Sequence, residues 1–351
     1  MLAVWWYPGL AYRPECSCSR LSNHPPEPGR AMTRILEAAT FARFAPGRRA
    51  SPDSFLPQLE TEDTCRKSKL KMPCMSDAAN DVQIDVSVRN GWEFRSVGPS
   101  DALRTILLVP GFLSTARFYD DVLQDPLLHD GDVRLIAVTP PGFGGRLAFD
   151  DLSVGHYALM CGELATAVMA DVVVGHSLGA NYALEMVAGG HFAGPVVLLS
   201  PCFSAEDEER DVRVGARLSR VPILGGLLWM FLPKLLNSAM KGRFPADRHH
   251  QLVAEMKLTD RRVAQRTLIA YFDYLTRPGA LSERLCGTGV PAYVVRGDRD
   301  EIGLSTTERD TLTNCPSVTM VEIPDAAHLV MIDQPTAIAA VIREALDTVP
   351  T

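Results

Sequence analysis

The sequence predicts an α/β fold: a mostly parallel sheet of about eight strands with helices on both faces, an antiparallel hairpin at its start and one long helical insertion. Three observations carry this. Short, continuous apolar runs recur along the chain, as strands buried on both faces require. Helical stretches separate most of them, as crossovers between parallel strands require. One gap between consecutive runs is far longer than a single crossover helix needs.

The elements follow in order. Ile84, Val86 and Val88 alternate with polar neighbours, and Asn90-Gly91 supplies the residues of a type I′ turn. Trp92, Phe94 and Val97 resume beyond it, which completes the hairpin. The buried runs are ILLV at 106–109, LIAV at 135–138, VVV at 172–174, VVLL at 196–199 and AYVV at 292–295, with VTMVEI at 318–323 as a further strand. Helices are expected over about 115–127 and 156–169, after Ser177, and over 336–346, with Pro335 in the first turn of the last. The gap between VVLL and AYVV places a helical cap at 203–285, inserted into a core formed by 82–202 and 286–351.

Residues 1–81 stand apart as an N-terminal extension. The first 74 hold nine prolines, little periodicity and the basic cluster RKSKLK at 66–71, which predicts a loosely attached or disordered stretch. Three readings stay open for it. Met75 begins MSDAANDVQIDV, which has the look of an ordinary start, so the upstream part is then an over-extended frame. Met32 begins an Arg-bearing amphipathic run suited to organelle targeting, which Glu37 weakens. The third reading is a regulatory extension.

A formal net charge of −7 argues against a general affinity for nucleic acid or anionic membrane, since both need a basic face. No window approaches the roughly 20 apolar residues of a spanning helix, so stable membrane insertion is not expected. MLAVWWYPGLAY at the start lacks a basic region and a small-residue cleavage site, so it does not read as a signal peptide. Cys161, Cys202, Cys286 and Cys315 have no partner at CxxC spacing and are expected to be reduced thiols in a cytoplasmic protein. Cys16, Cys18, Cys65 and Cys74 lie in the front segment.

The chemistry starts at VVVGHSLGAN, residues 172–181, where the most strand-like run meets a serine between two glycines. A strand that turns sharply into a helix strains the turning residue, by roughly 1–3 kcal/mol. It also brings flanking backbone so close that a Cβ at Gly175 or Gly179 would collide. The Ser177 hydroxyl is then raised above the sheet at a helix N-terminus, whose dipole favours developing negative charge. A serine at its ordinary pKa needs a base, and the base needs an orienting acid.

Gly175-His176-Ser177-Leu178-Gly179 resembles the G-x-S-x-G elbow of the α/β-hydrolase superfamily. The likeness extends over residues 82–348. The acid of that family follows the next-to-last strand, and Gly297-Asp298-Arg299-Asp300 is similar to its G-x-x-D, which selects Asp300. The loop IPDAAHLVMIDQP after the final strand is similar to the family's histidine loop and selects His328. Pro110-Gly111-Phe112 stands where the family has His-Gly, so the resemblance implies an oxyanion hole from the backbone N–H groups of Phe112 and Leu178. TPPGFGG at 139–145 is a partial match to a further family segment, with Thr139 where Asp is common.

The resemblance therefore implies a serine hydrolase acting on a carboxylic ester or related acyl bond of a small, apolar acyl or aromatic substrate. The same residues would also serve lactone, thioester or C–C bond hydrolysis, and a binding protein that has lost turnover is the alternative from outside enzymology. A serine nucleophile argues against the dehalogenase and epoxide hydrolase chemistry of the superfamily. No cofactor is implied, because GxGxxG is absent from the glycine-rich segments. No metal is implied either: His249 and His250 are adjacent, about 100° apart on a helix, and make a poor ligand pair. The expected assembly is a monomer or homodimer.

The cap offers the substrate clue. VPILGGLLWMFLPKLL at 221–236 is nearly all apolar, so it reads as a helix packed on the core, with Trp229, Met230 and Phe231 as candidates to line a pocket. Its scant polar face argues against docking at a membrane surface. AEDEER at 205–210 reads as a solvated hinge, and Leu268 to Tyr274 as core packing.

Overall fold

The computed structural model describes residues 82–129 and 131–350. The three readings of the N-terminal extension and its four cysteines lie outside the described residues. Eight strands form one sheet: β1 (Asp85–Arg89), β2 (Trp92–Val97), β3 (Arg104–Val109), β4 (Val133–Thr139), β5 (Val172–His176), β6 (Val196–Leu199), β7 (Ala292–Gly297) and β8 (Val318–Ile323). Their spatial order is β1-β2-β4-β3-β5-β6-β7-β8. β1 and β2 pair antiparallel, as do β2 and β4, and the remaining pairs are parallel. Asn90 and Gly91 turn the first hairpin with φ of 51° and 82°, the left-handed pair that a type I′ turn demands.

The apolar runs lie where their composition puts them. Ile106 to Val109, Val172 to Val174 and Val196 to Leu199 are fully buried at the centre of the sheet, whereas every residue of edge strand β1 is exposed. The expected helix over 115–127 is broken into a 3-10 turn at Ala116–Tyr119, the short α1 (Asp120–Leu123) and a second 3-10 turn at Pro126–Leu128. Pro126 is the physical reason, since it cannot donate to a continuing helix and instead starts a turn capped by Asp125. A bidentate, buried pair from Arg95 to Asp120, at 2.7 and 2.9 Å, ties this segment to β2.

Helix α2 (Val154–Ala167) starts on the side-chain cap of Ser153 and packs against α3 (Leu178–Ala188), where Tyr157 stacks on Tyr182 at 4.9 Å. The segment between β6 and β7 contains α4 (Arg210–Ser219), α5 (Pro222–Ala239), α6 (His249–Lys257), α7 (Arg261–Leu275) and α8 (Leu281–Cys286). Leu268, Tyr271, Phe272 and Tyr274 are buried on α7, in agreement with their reading as core. Helix α9 (Thr306–Thr313) was not anticipated. It buries only Leu312 and is defined by a Ser305–Glu308 capping box rather than by an apolar stripe. After α10 (Val330–Asp333), α11 (Pro335–Asp347) lays Ile338, Ala339, Ile342 and Ala345 on the core.

The expectation of four reduced thiols is corrected. Cys286 and Cys315 form a disulfide with Cα atoms 5.8 Å apart, and only Cys161 and Cys202 are free among the described residues. The two partners are 29 residues apart in sequence, so spacing hides a proximity that the packing of α8 beside α9 creates.

Candidate active site

The chain leaves β5 through Ser177, whose φ of 51° and ψ of −118° lie in territory that costs a non-glycine residue strain. Its N–H donates to Leu199 O at 2.8 Å, and its carbonyl accepts from Ala180 and Asn181 as the first turn of α3. The collisions inferred for the flanking glycines are explicit. A Cβ on Gly175 would stand 2.3 Å from Gly179 O, and one on Gly179 would stand 2.4 Å from Val109 O. Glycine at both positions lets three backbone segments meet at one point.

The loop after β3 reaches the same point, since a Cβ on Gly111 would lie 3.0 Å from Ser177 Cβ. The N–H groups of Phe112 and Leu178 find no acceptor among the described residues, so both remain available as donors beside the serine. Thr139, at the position where the resemblance implied Asp, is fully buried and accepts from Ala116 N–H at 2.9 Å. It fastens the loop after β3 to the end of β4.

Asp300 follows β7 and His328 follows β8, and the two loops converge with His328 Nδ1 at 3.2 Å from Asp300 Oδ1. The Asp300 side chain is fully buried and that of His328 is 18% exposed. Burial by itself would raise the Asp300 pKa. The hydrogen bond and charge of His328, the Ser200 hydroxyl and the Ile302 N–H outweigh it and hold the carboxyl at about 2. The carboxylate therefore only accepts, so Nδ1 of His328 carries the proton and Nε2 is left as the basic nitrogen. Burial pulls the His328 pKa down, but Asp300, Glu208 and Glu209 more than compensate and leave it above its ordinary 6.5.

Ser177 joins this pair through its neighbour. His176 Nε2 donates to the carbonyl oxygen of His328 at 3.0 Å, and the two rings lie 4.9 Å apart. His176 is a poor base, because burial and the nearby His328 push its pKa down to about 3. Its role as a strut between the elbow and the histidine loop has no signature in sequence.

Two expectations change. The acidic run 205–210 is not a solvated hinge: Asp207 and Glu208 are buried. Asp207 accepts from Phe203 and Ser204 N–H at 2.9 Å each, and Glu208 Oε1 accepts from Cys202 Sγ and Tyr271 OH, both at 3.3 Å. Burial raises the pKa of Glu208, and His328 counters it. Acidic composition alone could not reveal that these carboxylates have internal donors.

The pocket candidates also separate. Trp229 is buried, donates Nε1–H to Ser219 Oγ at 2.8 Å and meets Phe112 edge-to-face at 6.3 Å. Met230 and Phe231 lie on the opposite, exposed face of α5, because consecutive helical residues cannot share one narrow stripe. Among the described residues, no group of three or more His, Cys, Asp or Glu is placed to hold a metal.

A family model described as alpha/beta hydrolase matches residues 106–341. The chain is similar to an N-acyl homoserine lactonase crystallised with N-hexanoyl homoserine, at 17% identity and a TM-score of 0.58, over 77% of this chain and 98% of the other. It is similar to a malate-bound thermophilic esterase from Thermogutta terrifontis at 21% identity and 0.56, over 77% and 100%. An esterase from Rhodococcus sp. ECU1013 matches at 17% and 0.53, over 77% and 99%. These likenesses show the fold. No curated protein matches the sequence.

Proposed function

The chain belongs to the alpha/beta hydrolase family, and from that premise we propose that it is a serine hydrolase that cleaves a carboxylic ester of a small, apolar acyl or aromatic compound. The observation that carries the reading is the His328–Asp300 hydrogen bond, fastened through His176 to the strained turn that bears Ser177.

In this mechanism Ser177 Oγ attacks the acyl carbon while His328 Nε2 takes its proton. Asp300 holds Nδ1–H and stabilises the imidazolium that forms. The N–H groups of Leu178 and Phe112 receive the oxyanion, each typically worth about 3–4 kcal/mol in the transition state. The imidazolium protonates the departing alcohol, which leaves an acyl-enzyme. Water, deprotonated by the same imidazole, then releases the acid and restores Ser177. The helices of 203–285 act as a cap over the crevice, with Trp229 set edge-to-face against Phe112 of the oxyanion loop.

A fluorophosphonate probe tests the nucleophile. Labelling of the parent chain and none of Ser177→Ala is expected, and labelling that survives the substitution refutes the assignment. Product analysis over carboxylic esters, lactones, thioesters and vinylogous diketones then identifies the bond.

A further inference from the structure

Helix α5 is apolar on all sides, yet only one side is packed. Gly225, Trp229 and Leu236 are buried, with Gly225 pressed against Ser219 O and the Gln265 side chain of α7. Ile223, Leu227, Met230, Phe231 and Lys234 fall within a sector of about 100° on the other side. Ile223 is 76% exposed and Phe231 47%. A contiguous apolar stripe left in water marks a surface that something covers.

The preceding helix supplies the charge that the stripe lacks. On α4, Arg210, Arg213 and Arg217 share one face with the exposed Val214 and Leu218, while Ala216 and Ser219 are buried. Both helices pack on α7, so their free faces look away from it. Residues 210–248 hold eight Lys and Arg against two Asp, in a chain whose net charge is −7. Arg210, Arg213, Arg217 and Lys241 make no ion pair among the described residues. The ion pairs of this segment use Arg220, Arg243 and Arg248 instead.

We propose that the outer face of α4 and α5 docks on an anionic lipid bilayer, with Ile223, Leu227, Met230 and Phe231 entering the boundary between headgroups and acyl chains and the arginines of α4 meeting lipid phosphates. A bilayer offers negative charge above an apolar layer, which is the pattern displayed here. A second copy of the chain fits worse, because two such faces would bring like charges together. The scant polar face of α5, read alone, pointed away from a membrane; the polar flank comes from the neighbouring helix. The docking reading is independent of whether the chain hydrolyses esters.

Vesicle flotation of the full chain tests it, with phosphatidylcholine vesicles containing roughly one-third phosphatidylglycerol and with phosphatidylcholine alone. Partitioning to the anionic vesicles should exceed that to neutral ones by at least about tenfold and weaken with salt. Ile223→Glu with Leu227→Glu should cut it by about tenfold or more. Arg213→Glu with Arg217→Glu should remove the preference for anionic lipid. Circular dichroism and thermal melts check that each variant is folded; Ile223, Leu227 and Arg217 are exposed and Arg213 is half-buried. Equal binding to neutral vesicles, undiminished binding of the Ile223/Leu227 variant, or no vesicle binding by a dimer that this variant dissociates would each overturn the proposal.

Discussion

The rings of His176 and His328 lie 4.9 Å apart, but their pKa values are displaced in opposite directions. Burial and the neighbouring His328 drive His176 down to about 3, whereas the partners of His328 overcome its burial and lift it above 6.5. One imidazole is thus a neutral donor throughout the working range, and the other is the group free to titrate.

The acid limb of the kcat/KM profile should therefore lie above pH 6.5, with activity falling as His328 is protonated. Glu208→Gln removes a negative charge that favours the protonated ring and should move this limb to lower pH. An unmoved limb counts against the electrostatic link. For stability the sign is opposite: the raised pKa stabilises the fold fully below pH 6.5, and that contribution is lost as pH rises through the folded value.

Asp300→Asn should lower kcat by about 10⁴-fold, because an amide that donates to Nδ1 leaves the imidazole in the wrong tautomer. Steady-state kinetics on a short acyl ester measures it. A loss of less than about tenfold would remove Asp300 from its role.

His176→Phe keeps an aromatic ring, a larger one, but deletes the donor to His328 O. A fall of about 10–100-fold in kcat with little change in KM is expected if the bond positions the histidine loop. A change confined to melting temperature would make the residue structural only.

Gly179→Ala places a methyl 2.4 Å from Val109 O and 2.5 Å from Pro110 O, both backbone atoms that cannot swing aside. A loss of about 1–3 kcal/mol in stability by denaturant unfolding is expected, with probe labelling impaired in whatever fraction folds.

Opening the Cys286–Cys315 bond by Cys315→Ser should cost about 3.6 kcal/mol, the chain-entropy value for partners 29 residues apart. Unchanged unfolding with and without reductant would show that the link does not constrain the chain.

Much of this was readable in the linear chain for a specific reason. Buried parallel strands are written as uninterrupted apolar runs, and the turn at Ser177 needs glycines at two fixed offsets, so β3 to β8 and the candidate nucleophile announce themselves locally. Asp300 and His328 were reachable because each lies in the loop that follows a strand. Other features depend on side chains that meet only after folding. Nothing adjacent to Glu208 signals Tyr271, nothing near Cys286 signals Cys315, and no periodicity distinguishes the inner face of α5 from its outer one when both are apolar.

Strands β6 and β7 lie side by side, in register from Val196 with Ala292 to Leu199 with Val295, although the whole insertion separates them in sequence. The excursion therefore departs and returns at neighbouring points on a scaffold that is already closed without it. Such a module can be lengthened, shortened or exchanged with little penalty to the sheet.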